Sequence, residues 1–173
     1  MYEETARRLS LSECSIVLDI GCGNGYMLNM LARQYGGTFS GIDISGSILR
    51  AASRRNRGFV RSGRMSFAVA HAAELPFGDA AFDRVYTINT VYFWDDLDKT
   101  MAEIRRVLCP RGLFVNMLYT NETLSRLSHT QYRYKRFTRE QLVEAARRSG
   151  FEVSVVPILD GKAYCFVCRA GDD

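Results

Sequence analysis

No apolar run in this 173-residue chain approaches the roughly 20 residues that a membrane-spanning helix requires. Met1 to Leu9 is charged and lacks an apolar core, which argues against a secretory signal. Internal repeats, low-complexity tracts and linker-like stretches are absent, so one domain over residues 1–173 is expected, long enough for a substantial core. The five cysteines, at positions 14, 22, 109, 165 and 168, form an odd set without repeated spacing. That pattern does not suit a disulfide framework, and reduced thiols in a cytoplasmic protein are expected. Cys165-Phe166-Val167-Cys168 has the spacing of half a zinc site, but no second pair matches it. On a strand its two thiols would point to opposite faces, and no metal is expected. Neither sign of charge dominates strongly. The net charge of +4 permits nucleic acid without arguing for it.

What the chain does contain is concentrated in Val17-Leu18-Asp19-Ile20-Gly21-Cys22-Gly23-Asn24-Gly25. A β-branched apolar run ends in an acid, three glycines alternate, and a helical pattern begins at Tyr26. Glycine has no Cβ, so a nucleotide-like ligand can lie against such a strand-to-helix turn. A dinucleotide fingerprint needs its third glycine at position 26. Tyr26 stands there and the glycine comes one residue early, which disfavours a nicotinamide cofactor.

Strands are expected at Val17–Ile20, Thr38–Asp43, Met65–Ala70, Phe82–Thr87, Leu113–Leu118, Phe151–Val156 and Ala163–Val167. Between them, Tyr26–Gln34 reads as a helix stopped by Gly36-Gly37. Ser45 opens another that runs to about Arg57, with Ile48, Ala51 and Ala52 inward and Gly58 as its stop. Asp95–Leu108 has the clearest helical face, in Leu97, Met101, Ile104, Val107 and Leu108. Thr138-Arg139-Glu140-Gln141 is a capping box for a helix ending at Gly150. Strands alternating with helices imply an α/β fold: a Rossmann-like, seven-stranded, mostly parallel sheet with helices on both faces. Only Pro157 to Lys162 separates the last two strands, so they should pair antiparallel.

The pattern D-x-G-x-G-x-G resembles motif I of the class I S-adenosylmethionine (SAM) methyltransferases. Other segments carry the resemblance from about Val17 to Arg169: Gly41-Ile42-Asp43-Ile44, Ala70-His71-Ala72-Ala73-Glu74-Leu75-Pro76-Phe77, Phe82-Asp83-Arg84-Val85, Tyr92-Phe93-Trp94-Asp95-Asp96-Leu97 and Arg106-Val107-Leu108-Cys109-Pro110-Arg111-Gly112. The run of aromatics before Asp95-Asp96-Leu97 is similar to the broad group acting on small molecules. The resemblance implies SAM as cofactor, with Asp19, Gly21, Cys22, Gly23, Asn24 and Gly25 packing against its methionine and ribose part. Asp43 lies 22 residues beyond Gly21, where a carboxylate can accept both ribose hydroxyls. Ile44 would flank the adenine, with Asn89 nearby. His71, Ala72 and Ala73 fall in the adenine loop, where an aspartate is usual at the position of His71. A neutral imidazole can accept from the adenine amino group and a protonated one cannot, so affinity should weaken at low pH. Cys109 and Arg111 are further departures from the family pattern.

Tyr92, Phe93 and Trp94 follow the fourth strand, where the acceptor approaches the methyl group in this family. Three consecutive aromatics cannot all enter one core face, so some should line a substrate pocket and at least one should pack under the next helix. No catalytic base stands out. His129 is a possible one, and Tyr92 and Asn89 are residues that could orient an acceptor. Signatures of nucleobase methylation are missing: Ile88-Asn89-Thr90-Val91 has neither the Pro-Pro of amino-methylating DNA enzymes nor a Pro-Cys nucleophile. The reading is methyl transfer to a small-molecule acceptor, with no membrane partner. Its alternatives are a non-enzymatic SAM-fold binding protein and an RNA-directed enzyme. The arginines at 50, 54, 55, 57, 61 and 64 form a basic run that reads first as a solvated face. Tyr132 to Phe137 reads as part of a lid at about 120–137. Only about 15 residues precede motif I, so the site is expected to be more open, or covered from elsewhere.

Overall fold

The computed structural model describes residues 1–126 and 134–172. Seven strands form one sheet in the order β3-β2-β1-β4-β5-β7-β6. They are β1 (Ile16–Ile20), β2 (Thr38–Asp43), β3 (Met65–Val69), β4 (Phe82–Ile88), β5 (Leu108–Tyr119), β6 (Phe151–Ile158) and β7 (Ala163–Ala170). The first five pair in parallel, and β7 runs antiparallel to both β5 and β6. The short 159–162 connection has no room for a crossover, so the expected hairpin forms. The order reverses between β1 and β4, and the carboxyl ends of those two strands open the crevice where open α/β sheets hold ligands.

Alternate strand residues face opposite sides and build two cores. Leu18, Val85 and Phe114 pack with Trp94, Met101 and Ile104 on one face. Val17, Phe39 and Val115 pack with Leu9, Leu28 and Leu31 on the other. The second face is covered by α1 (Tyr2–Leu9), α2 (Tyr26–Gln34) and α3 (Gly46–Arg55). The first is covered by α5 (Leu97–Val107), α6 (Asn121–Arg126) and α7 (Arg139–Arg148). The capping box at α7 is present, with Thr138 Oγ1 accepting from Gln141 N and Gln141 Oε1 accepting from Thr138 N.

Four expectations need correction. The residues before β1, for which no element was expected, form a helix: α1 buries Leu9, and Arg84 Nε donates to the Leu9 carbonyl at 2.7 Å. The helix after β2 does not run through to Arg57. It stops at Asn56, and a short α4 (Arg57–Arg61) follows with Gly58 inside it. The break has a cause in Asn56, whose buried amide donates to the carbonyls of Ala52 and Gly25 and accepts from Asn29 Nδ2. The inward face of α3 is Leu49 and Ala52, while Ile48 is exposed. Finally, α5 begins at Leu97, because the Asp96 carboxylate caps it by accepting from Lys99 N, and Leu108 already belongs to β5.

Candidate functional site

All three glycines of the first turn adopt positive φ: +75° at Gly21, +52° at Gly23 and +69° at Gly25. Only glycine takes this conformation cheaply. A Cβ on Gly21 would also stand 2.3 Å from Thr90 Cγ2, so the turn can sit against the loop after β4 only without a side chain. At Gly23 the space beyond the backbone is open. Asp43 ends β2 and organises the turn: its Oδ2 accepts from Gly23 N at 3.1 Å and its Oδ1 from Ser45 N at 2.9 Å. One carboxylate thereby fixes the glycine turn and the start of α3.

A cavity of about 460 Å³ opens at the carboxyl ends of β1 and β4, a size ordinary for a small-molecule site. Ile20 and Gly21 form its base, Asp43, Ile44 and Ile48 one wall, and Ala70, His71 and Ala72 the next. Ile88, Asn89 and Thr90 close the third side, with Phe93 and Trp94 beyond them. Its polar end is the Asp43 carboxylate and its far end is aromatic. Asn89 holds a left-handed φ of +58°, which asparagine tolerates better than most residues. Its Oδ1 accepts from the Tyr92 hydroxyl and its Nδ2 contacts Met1 Sδ, so α1 reaches this loop.

The structure gathers Gly21, Asp43, Ile44, His71, Ala72, Asn89, Phe93 and Trp94 around the cavity. The other sequence candidates lie elsewhere. Asp19 points to the opposite side of the sheet, where its Oδ2 accepts from the Tyr86 hydroxyl at 2.8 Å. Burial pushes the Asp19 carboxyl up to about 7, with the Tyr86 hydrogen bond opposing and the Asp43 charge adding. Cys22 turns its thiol under Gly41, and burial raises it well above the ordinary thiol range. Gly23, Asn24, Gly25 and Ala73 shape the loops without lining the cavity. The aromatic run divides sharply: Tyr92 and Trp94 are each 3% exposed and Phe93 is 53% exposed. Tyr92 is an internal brace, its hydroxyl accepting from Tyr119 N at 2.6 Å. Burial raises that hydroxyl, so it stays protonated near neutrality. Sequence reading missed Ile48 and Thr90. The signal for Thr90 was weak, and the signal for Ile48 pointed inward.

Of the expected lid, the described parts are α6 and residues 134–137. Tyr134 stacks edge-on against both Tyr92 and Phe93, at 5.4 and 4.9 Å between ring centres. Lys135 N donates to the Tyr92 carbonyl, and Lys135 Nζ donates to the Asp95 carboxylate at 3.0 Å. That bond holds the Asp95 carboxyl below its usual range. His129, Tyr132 and Arg133 lie outside the described residues.

A family model described as a methyltransferase domain matches residues 18–116. The chain belongs to the methyltransferase-domain family. It is similar to the O-methyltransferase resE of Aspergillus sclerotiorum, 32% identical over 160 residues that cover 88% of this chain and 61% of the relative. The methyltransferase GfsG of Streptomyces halstedii is 39% identical over 112 residues, covering 65% of this chain and 40% of that protein. Against those two relatives, the aligned part of this methyltransferase domain thus corresponds to 40% to 61% of their length. Among solved structures it is similar to the methyltransferase bound to the Trm112 activator of Haloferax volcanii, at 25% identity and TM-score 0.85, covering 98% and 88% of the two chains. It shares its fold with a geranyl diphosphate methyltransferase in complex with SAM, at 16% identity and TM-score 0.83, covering 99% and 84%.

SAM is the cofactor of this family, and the residues present fit it. The carboxylate of Asp43 keeps lone pairs toward the cavity after binding two amides, as a diol requires. Exposed Ile44 and Ile48 offer apolar contact to a flat base. The space beyond Gly23 is open, so no protein atom there obstructs a ligand lying on the turn. No helix among the described residues is long and apolar enough to cross a membrane.

Proposed function

We propose that this domain transfers a methyl group to a small, partly apolar acceptor. One observation carries the reading: a single cavity runs from a ribose-type carboxylate, Asp43, to an aromatic end at Phe93 and Trp94. When bound, SAM supplies an electrophilic methyl on a sulfonium sulfur, open to in-line displacement. Asp43 accepts the ribose hydroxyls, Ile44 and Ile48 flank the adenine, and the His71 loop meets its edge. Asp19, Cys22, Gly25 and Ala73 act from behind by shaping that surface. Phe93 and Trp94 contact the acceptor, Asn89 orients it, and Tyr92 holds Asn89 in place.

Asp43 and His71 are the titratable side chains on the cavity wall among the described residues, and both stand at the cofactor end. The chain therefore works by aligning the acceptor and excluding water, effects that contribute roughly 7–11 kcal/mol in well-oriented systems. Neither Asp43 nor His71 stands at the aromatic end, so an acceptor that must lose a proton draws no base from the cavity wall among the described residues. Relatives are named as O-methyltransferases, a sterol 4-C-methyltransferase and a norajmaline N-methyltransferase, so the fold supports several acceptor atoms. Residues 1–173 act as one domain, with α6 and residues 134–137 belonging to a cover over the aromatic end. Five free cysteines suit a cytoplasmic setting.

Calorimetry should show binding of S-adenosylhomocysteine and none of NAD. Labelled methyl transferred from SAM into cell extract should appear in small, nuclease-resistant material. Label confined to large nuclease-sensitive material would refute the acceptor class, and tight binding without any transfer would refute the enzyme.

A further inference from the structure

One feature of the sequence remains unused by the cavity. Residues 26–64 contain seven arginines, no lysine and one acid, Asp43, whose carboxylate is held by two backbone amides. The rest of the chain is slightly acidic, so the charge is strongly segregated. Among the described residues, no carboxylate lies within ion-pair distance of any of the seven, whereas most of the ion pairs elsewhere involve arginine. Arg33, Arg50, Arg54, Arg55, Arg57 and Arg61 are exposed. Helix dipoles account for Arg33, Arg54 and Arg55, which end α2 and α3. They do not account for Arg50 and Arg57. Arg64 has a structural task, donating to the carbonyls of Ala32, Tyr35 and Gly37.

The arginines sit in relief and not on a flat face. A cleft of about 520 Å³ between the end of α2 and α4 is lined by Arg33, Arg55, Arg57 and Arg64, with Phe59 in its wall. A second hollow of about 440 Å³, between α3 and the free edge strand β3, carries Arg50 and Arg54 beside Phe67 and Val69. Two hollows separated by one helix suit a linear polyanion better than a compact ion or a flat lipid surface. Flat rings accompany the charge. The Arg64 guanidinium lies 5.3 Å from the Phe59 ring centre, and Arg55 lies 5.7 Å from that of half-exposed Tyr26. Tyr2 of α1 stands against Tyr26 at 5.6 Å and is similarly exposed.

We infer that the α2–α3–α4 face binds single-stranded RNA, its phosphates on Arg33, Arg54, Arg57 and Arg61 and its bases against Tyr26 and Tyr2. Guanidinium groups bind phosphate with a planar fork and also stack on bases, which suits an all-arginine face. Aromatic platforms beside a positive groove are how single strands are held without sequence preference. The RNA here is an anchor and not the methylated molecule, so this inference stands apart from the acceptor proposed above.

The test is fluorescence anisotropy of the whole chain with a labelled 20-nucleotide RNA of mixed sequence, over a series of salt concentrations. With about four phosphates engaged, log affinity should fall against log salt with a slope of about −3. The triple variant Arg54→Glu, Arg57→Glu, Arg61→Glu should weaken binding at least tenfold and flatten the slope by about 2, with S-adenosylhomocysteine binding unchanged. Arg139→Glu, Arg147→Glu, Arg148→Glu changes net charge equally on α7 and should retain most of the binding. If the first triple does not fold, the glutamine versions of the same three positions replace it. Equal loss in both triples, absence of RNA binding, preference for anionic phosphatidylglycerol vesicles, or displacement by inorganic triphosphate at matched phosphate concentration would each overturn the inference.

Discussion

The two ends of the cavity are built by different means. The Asp43 end is fixed through backbone: Gly21 at its base, the positive-φ glycine turn behind it, and an aspartate whose oxygens hold two amides. The aromatic end is made of packed side chains, in which neighbours in sequence take opposite environments. Phe93 faces out while Tyr92 and Trp94 are buried on either side of it. Backbone geometry tolerates few residues and leaves a readable trace. Side-chain packing tolerates many and leaves little. A fold that holds one cofactor for varied acceptors would divide its construction in this way.

The largest test of the cofactor end lies beneath it, at Asp19. Its folded carboxyl titrates at about 7 against an ordinary value of 3.8, because burial disfavours the charged form. Between those values the folded state binds more protons than the unfolded one, so stability falls as pH rises from about 4 to 7. The loss amounts to about 4 kcal/mol at most. Urea titrations across that range should show this slope, and Asp19→Asn should flatten it. A wild-type curve that rises with pH over the same range would remove the buried-acid account.

Gly21→Ala comes next. Positive φ and the approach to Thr90 together should cost about 3 kcal/mol of stability. Thr90→Ser removes the clashing methyl while keeping a hydroxyl near Thr87, so the double variant should recover part of that loss. Strict additivity of the two substitutions would show that the contact is not the cause.

Asp43→Ala should leave the chain folded and weaken S-adenosylhomocysteine binding by about 1.5–3 kcal/mol, tenfold or more. Calorimetry measures it, and unchanged affinity would reduce Asp43 to a loop tie.

The smallest effects separate the aromatic neighbours. Tyr92→Phe leaves the Tyr119 amide without its partner and should cost about 1–2 kcal/mol of stability. Phe93→Ala should change stability by less than about 0.5 kcal/mol while raising the acceptor KM. If Phe93→Ala instead lowers stability with KM unmoved, the acceptor end has been placed wrongly.

The glycine turn, Asp43, the alternation of strands with helices and the Thr138 capping box were all legible in the sequence. Each depends on contacts within a few residues or on a conformation that one residue type permits. The break at Asn56 was not, because it follows from bonds to Gly25 and Asn29 in another helix. Nor was α1. Eight residues are too few to hold a helix by propensity, and this one is held where Leu9 enters the core and Arg84 caps its end. Ile48 shows the same limit. Helical spacing offered Ile48 with Ala51 and Ala52 as the inward face, and only the position of the sheet sent Leu49 to the core and left Ile48 beside the cavity.

By itself, then, the sequence determined the sheet, the glycine turn and the carboxylate that ties it, since glycine dihedrals and hydrophobic period are local properties. Tertiary structure decided which aromatics reach the cavity, which acid is buried and how the arginines gather, since those depend on distant elements meeting across a packed core.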